Sequence, residues 1–411
     1  MIPRSLARAA PFFVLLWFGS AVAAPDVPPS GNAVIDRTVQ IVDQNFYSQA
    51  ALPAFHDAVK AVVAGAGGQP LVTADAESRI LASLGASHTG RYTPDQLDYY
   101  ELADVFRYAL HDNIRTLFPP DGKIAYDGIG IASKEIGGAR FITDVYDGGP
   151  AERAGLTAGD EIVSADGKPF TEIGSFKGKA GGSVDLQIRR HAGDTPTTVT
   201  VGVETIEPQQ MFVEAVDKSA HVIQQDGRKI GVLHLWTYTT DRITGVIFQD
   251  LATKLKDVDG LVLDLRSRWG GGPADGAEPF VSATADMQVI DHDGDTHYVY
   301  TGFHKPIVAI IDDGTRSSME ILAYSLKKAG IPLVGEPTAG DVLAATAYAL
   351  PDDSLLELAV QDVIVDGKRL EKNPVTPDVA VPFDVRYAAG SDPQMDKAVA
   401  LLGQRLATSV N

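Results

Sequence analysis

The chain has 411 residues, a formal charge of −19 and no cysteine, and its 45% apolar content is that of a packed globular protein. That length predicts two or three domains. The acidity argues against nucleic acid or anionic lipid as a partner, and the missing cysteine excludes disulfides, thiol catalysis and a lipidated-cysteine anchor.

Residues 1–23 carry Arg4 and Arg8, then an apolar stretch from Pro11 to Gly19, then Ala21-Val22-Ala23 before Ala24. This is the layout of a secretory signal peptide with an A-x-A cleavage site, and it predicts export to a periplasm or the exterior. Its apolar part is short for a membrane span, and no later segment is long and apolar enough to cross a bilayer, so no stable membrane insertion is expected.

Residues 24–120 read as a helical N-terminal domain. Ile35, Val39, Val42 and Phe46, and then Phe55, Val59 and Val62, recur at helical spacing. Ile80, Leu81 and Leu84 continue the pattern until Gly85, a natural helix stop. Ser87 and His88 follow, and Thr93-Pro94-Asp95-Gln96 is placed to open a further helix.

Residues 121–206 change to short strands and glycine turns. Gly128-Ile129-Gly130-Ile131 precedes Gly149-Pro150-Ala151-Glu152-Arg153-Ala154-Gly155-Leu156-Thr157-Ala158-Gly159-Asp160-Glu161-Ile162. Residues 207–411 return to α/β alternation. Ile230 to Leu235, Gly260 to Leu265 and Pro306 to Ile311 are continuous apolar runs suited to buried strands. Between them Ile243, Ile247, Leu251 and Leu255 mark an amphipathic helix, and a final helix from Asp392-Pro393 is expected to bury Met395, Val399, Leu402 and Leu406.

Two segments of this last region carry chemistry. Gly314-Thr315-Arg316-Ser317-Ser318-Met319-Glu320-Ile321 puts a serine at a strand-to-helix turn, and Asp264-Leu265-Arg266-Ser267-Arg268-Trp269-Gly270-Gly271-Gly272 ends a strand in a glycine loop. A hydroxyl at a helix N-terminus lies in the field of unpaired N–H groups, and a glycine loop can add another N–H where an oxyanion would form. The pair suggests acyl transfer. Ser317-x-x-Glu320 is equally a capping box. His88 beyond a helix end can simply complement the helix dipole, and Glu371 can be a turn residue before Asn373-Pro374.

These segments resemble the C-terminal processing (tail-specific) serine peptidases, a family that includes the tricorn protease core, over about residues 30 to 385. Members of the processing branch place a lysine after Gly-Glu-x-Thr-x-Gly. Here Gly335-Glu336-Pro337-Thr338-Ala339-Gly340 is followed by Asp341, so the Ser-Lys dyad is absent. Lys327 and Lys328 cannot replace it, because ten residues of helix span about 15 Å. The tricorn-like pattern fits instead. Carried over, it implies Ser317 as nucleophile and His88 as general base. Ser87 and Glu371 would orient the imidazole, and the amides of Ser318 and of Gly270 or Gly271 would form the oxyanion hole. Arg268, where the family carries asparagine, and Trp269 are departures that bear on the substrate groove.

Residues 121–206, through the two glycine-rich motifs given above, resemble a PDZ domain over nearly the whole segment. The resemblance implies that Gly128, Ile129, Gly130 and Ile131 form a carboxylate-binding loop for peptide C-termini. A PDZ-like spacer with a closed groove is the alternative. The implied fold is an α/β crotonase-like (ClpP-like spiral) peptidase core with an inserted, mostly-β PDZ domain and the helical N-terminal domain. The expected function is an exported serine endopeptidase acting on polypeptides, recognised through free C-termini, with no metal or organic cofactor. A catalytically silent peptide-binding adaptor and a carrier of apolar small molecules are the competing readings.

Overall fold

The computed structural model describes residues 27, 29–67, 69, 71–266, 270–271 and 276–408. The signal segment 1–23, Arg268, Trp269 and Gly272 lie outside the described residues.

The apolar runs build the central layer. Ile307–Ile311 and Gly260–Asp264 are buried at every position, as strands covered on both faces must be. They lie inside a six-stranded sheet ordered Val379–Ala380, Leu333–Gly335, Ile307–Ile311, Gly260–Asp264, Arg228–His234, His221–Gln225. Five strands run parallel, and His221–Gln225 closes one edge antiparallel. Side chains alternate between two cores. Leu261, Leu263, Ala309 and Ile311 face the helices Pro208–Ser219, Asp241–Ala252 and Ser318–Lys328. Val262, Val308 and Ile310 face Val399, Leu402 and Leu406 of the helix Pro393–Thr408. Met395, expected in that core, is only partly buried. Leu255 is buried but lies beyond the end of its helix.

The helices Ala33–Asn45, Leu52–Gly65 and Thr73–Ala82 form where the periodicity predicts them. Their core is shared with Leu356, Leu358 and Ala359 of a hairpin made by Ala344–Ala349 and Leu355–Gln361. The short strand Gly90–Tyr92 adds to that hairpin antiparallel, opposite Leu355–Glu357. Segments from opposite ends of the sequence thus form one unit, and His88 enters it two residues before the strand. The next helix begins at Leu97, with Gln96 rather than Thr93 at the cap position, because the Thr93 hydroxyl donates to the side chains of Asp95 and Gln96.

Between these layers, Ile131–Ile136, Ala139–Val145, Glu161–Ala165, Ser183–Arg189 and Thr197–Gly202 form a five-stranded antiparallel sheet in chain order. It encloses its own core of Ile142, Ile162, Leu186, Ile188 and Val201. The chain after Phe383 straps back across it. Tyr387 N donates to Gly159 O at 3.0 Å, the Tyr387 ring meets Phe141 edge-on at 5.0 Å, and its hydroxyl donates to Glu161 at 2.6 Å. Gly159 has φ +93°, and a Cβ there would lie 2.4 Å from Val385 O. Gly155 has φ +76° but open space around it. Gly159→Ala is therefore expected to cost about 2 kcal/mol more than Gly155→Ala. Urea unfolding of both variants measures the difference, and equal costs would remove the strap as its cause.

Candidate active site

The site is assembled at the carboxyl ends of the central parallel strands, where α/β sheets place their ligand crevices. The strand Ile307–Ile311 leads into a turn that Thr315 pins. Its hydroxyl donates to Leu265 O at 2.8 Å, and its carbonyl accepts from Ala339 N at 3.0 Å. Ser317 follows with φ 57° and ψ −131°, a conformation costly for a residue with a side chain. What holds it is a hydrogen bond from Ser317 N to Asp341 O at 2.8 Å.

The capping-box reading fails on geometry. Ser317 makes no side-chain cap bond. The Glu320 carboxylate turns instead to the loop 338–341, accepting from the Thr338 hydroxyl at 2.5 Å, Gly340 N at 2.8 Å and Asp341 N at 2.7 Å. Glu320 is fully buried; burial keeps its pKa raised, and these three donors offset part of that rise. The Ser317 hydroxyl makes no hydrogen bond to any described residue.

Gly270 lies directly against this turn. A Cβ at residue 270 would sit 2.3 Å from Ser317 Cβ, 2.7 Å from Ser317 Oγ and 2.8 Å from Ser318 N. The Gly270 carbonyl is fixed by Thr237 Oγ1 at 2.9 Å and Tyr238 N at 3.3 Å. The Gly271 carbonyl accepts from the Ser318 hydroxyl, and Gly271, at φ +77°, packs against Thr239. Of the two glycines, Gly270 is the one whose backbone abuts Ser317 and the Ser318 amide.

Glu371 meets Ser87 and His88 although 283 residues separate it from the histidine in sequence. Ser87 Oγ lies 3.0 Å from His88 Nδ1 and donates to Glu371 Oε2 at 2.8 Å, while Ser87 N donates to Glu371 Oε1 at 3.2 Å. Glu371 also accepts from Val342 N at 2.9 Å. Lys372, whose part the sequence did not signal, completes the clamp with Nζ donating to Gly85 O at 2.5 Å. Asp341, Val342 and Glu371 thus connect the Ser317 turn to the His88 turn by three successive backbone and carboxylate contacts. Lys327 and Lys328 are elsewhere, on Asp378 and Asp366.

His88 is buried, with φ 50°. Burial, reinforced by the positive charge of Arg316, lowers its pKa to about 3. Arg316 also faces the half-buried Asp341 carboxyl and the buried Glu357 carboxyl, whose pKa values burial keeps raised although Arg316 lowers them. A neutral His88 is the form that accepts a proton. Below pH 6.5 the unfolded chain protonates this residue while the folded chain refuses the proton, so folded stability falls as pH drops toward 3.

The Gly128–Ile131 loop lines a cavity of only about 10 Å³, shared with Leu97, Phe170 and Phe176. That is room for about one water. Leu97, the first residue of its helix, packs there with Tyr126, Ile173 and Ile206. A second cavity, about 950 Å³, opens between this domain and the strand ends and is lined by Lys134, Asp144, Asp147, His234, Arg266 and Arg316 among others. Asp264, at the end of its strand, pairs with Arg266 at 2.6 Å, and Arg266 in turn reaches Asp392 at 2.6 Å. Among the described residues no group of side chains is placed to hold a metal.

Two measurements follow from this geometry. NMR titration should place the His88 pKa below 6.5, and Arg316→Met should raise it, since a cation that disfavours the imidazolium has gone. An unmoved pKa in Arg316→Met would remove that coupling. Gly270→Ala should lower turnover about 10²-fold or more and also lower the thermal midpoint, because the new methyl would overlap Ser317 Cβ and the Ser318 amide and force the turn to shift.

Residues 229–381 match the model of peptidase family S41, and residues 141–190 match a PDZ domain. The carboxy-terminal processing protease CtpA of Bacillus subtilis is 27% identical over 271 residues, covering 62% of this chain and 56% of that relative, so the chain spans little more than half the relative's length. A structure of the photosystem II D1 C-terminal processing protease superposes with a TM-score of 0.50 at 22% identity, covering 90% of this chain and 99% of that one. The tricorn protease superposes with a TM-score of 0.52 at 17% identity, covering 90% of this chain and 36% of the other. The chain is therefore similar to peptidase family S41 over residues 229–381 and to a PDZ domain over residues 141–190, in a fold like that of the C-terminal processing protease and tricorn protease structures.

Proposed function

We propose that this chain is an exported serine endopeptidase that cleaves polypeptides through an acyl-enzyme, with Ser317 as nucleophile and His88 as base. The observation that carries this reading is the Ser87–His88–Glu371 cluster, tied through Val342 and Asp341 to the strained Ser317 turn. His88 would take the Ser317 proton and return it to the leaving amine. Ser87 and Glu371 would hold the imidazole through Nδ1 and stabilise its charge once formed, the work of the third member of a catalytic triad. The Ser318 and Gly270 amides would hold the oxyanion. Asp341 supplies a carbonyl rather than a side-chain base, which is consistent with the absent lysine.

The large cleft beside Arg316 has the size to admit an extended peptide. The layout of residues 1–23 supports export to a periplasm or the exterior. Recognition of substrate C-termini by Gly128–Ile131 would require Leu97 to leave the small cavity it helps to fill. A crotonase-like (ClpP-like spiral) form of the core belongs to the same reading, on the strength of the sequence resemblance.

Purified mature chain is expected to hydrolyse an unstructured protein such as casein. Ser317→Ala and His88→Ala should each lower kcat by about 10³-fold or more, and Ser87→Ala and Glu371→Gln by smaller factors. Full activity in His88→Ala would discard the Ser-His assignment. A wild-type chain that binds peptide C-termini without cleaving them would establish the adaptor instead.

A further inference from the structure

Between the helix Glu278–Val281 and the strand leading to Ser317 the chain makes a two-stranded hairpin, Met287–Ile290 paired antiparallel with Thr296–Val299. Every residue of both strands is exposed. Met287, Val289 and Val299 share one face; Ile290 and Tyr298, 65% and 63% exposed, share the other with Tyr300. A hairpin apolar on both faces buries neither, and an isolated two-stranded sheet is marginal in water. Exposed strand edges are normally defended by lysine, proline or a bulge. Residues 282–304 contain no lysine, arginine or proline, and the strand register is unbroken.

Charge adds a direction. The same stretch carries Asp286, Asp291, Asp293 and Asp295, with only His292, His297 and His304 as titratable cations. The root is firmly held. Phe303 N donates to Pro279 O at 2.8 Å, Thr301 N donates to Asp286 at 2.7 Å, and a Cβ on Gly302 would meet Ser282 Cβ at 2.8 Å. The arm is therefore anchored on the helix that closely follows the Gly270–Gly271 loop.

We propose that the hairpin 287–299 is a docking arm for extended polypeptide segments that carry apolar and cationic side chains, which add along its free edge as a third strand. Main-chain pairing would supply affinity, the exposed apolar residues would take alternate side chains, and the carboxylates of Asp291, Asp293 and Asp295 would select lysine or arginine. The proposal rests on the peptidase reading for its biological use, since the arm would feed unfolded substrate to the neighbouring site. A second copy of this chain fits poorly, because its arm presents the same carboxylates and the whole chain is acidic.

Fluorescence anisotropy with the full-length Ser317→Ala chain tests binding without turnover. The probe is an unstructured, labelled peptide alternating valine or tyrosine with lysine, amidated at its C-terminus so that no carboxylate is offered to Gly128–Ile131. It should bind about tenfold tighter than its glutamate counterpart. I290K combined with Y298K should weaken binding about tenfold, and D291N/D293N/D295N, which leaves the apolar residues in place, should erase the preference for lysine. Unchanged affinity in both variants would overturn the proposal. So would a wild-type dimer, seen by sedimentation, that I290K/Y298K dissociates. A wild-type chain that hydrolyses nothing would defeat the peptidase reading separately, because the binding result does not depend on turnover.

Discussion

The buried Glu320 carboxylate is the contact on which the rest of the site depends. Its three hydrogen bonds to residues 338–341 fix one short loop, and that loop serves both halves of the proposed catalytic arrangement. The Asp341 carbonyl holds Ser317 N, while Val342 N holds Glu371, which holds Ser87 and through it the His88 ring. A buried carboxylate without donors would be expensive. Here every oxygen is bonded, so the burial that would otherwise destabilise the loop makes it rigid.

That rigidity has a use, because both proposed reacting residues sit on backbone that a side chain disfavours. Ser317 and His88 have φ values of 57° and 50°. Such conformations cost on the order of 1–3 kcal/mol each and persist only where their surroundings over-determine them. The surroundings are visible: Thr315, Asp341 and Gly270 around the serine, Glu371 and Lys372 around the histidine turn. The position where a processing-branch enzyme carries lysine is thus occupied by a residue acting through its backbone. Its carboxyl faces Arg316, a cation next to Ser317 in the chain that also acts on His88.

The PDZ domain is coupled to the core at several places. Tyr387 crosses its sheet, Trp236 Nε1 donates to Asp144 at 2.5 Å, and Leu97 reaches into the cavity beside the Gly128–Ile131 loop. Leu97 belongs to the helix that follows the His88 segment by a few residues. Contacts at the PDZ loop and contacts around the proposed base are therefore carried by one short stretch of chain, 85–97.

Local pattern alone determined much of this protein. Continuous apolar runs such as Ile307–Ile311 and Gly260–Asp264 admit little but buried parallel strands, and the 3.6-residue spacing of Ile35, Val39 and Val42 demands a helix. Ser317 and the pair Gly270 and Gly271 could be picked out as candidates because turn and glycine chemistry are written in adjacent residues, whereas His88 became a candidate only through the family resemblance. Contacts between distant residues left no such mark. Nothing local in Leu355–Gln361 says that it will share a core with helices some 300 positions earlier, nor in Lys372 that its ammonium will cap Gly85. The Ser317-x-x-Glu320 spacing fits a capping box equally well, and only the tertiary approach of residues 338–341 decided where that carboxylate turned. A hydrogen bond to a remote loop is decided by packing, which brings its partners together only after the strands have ordered.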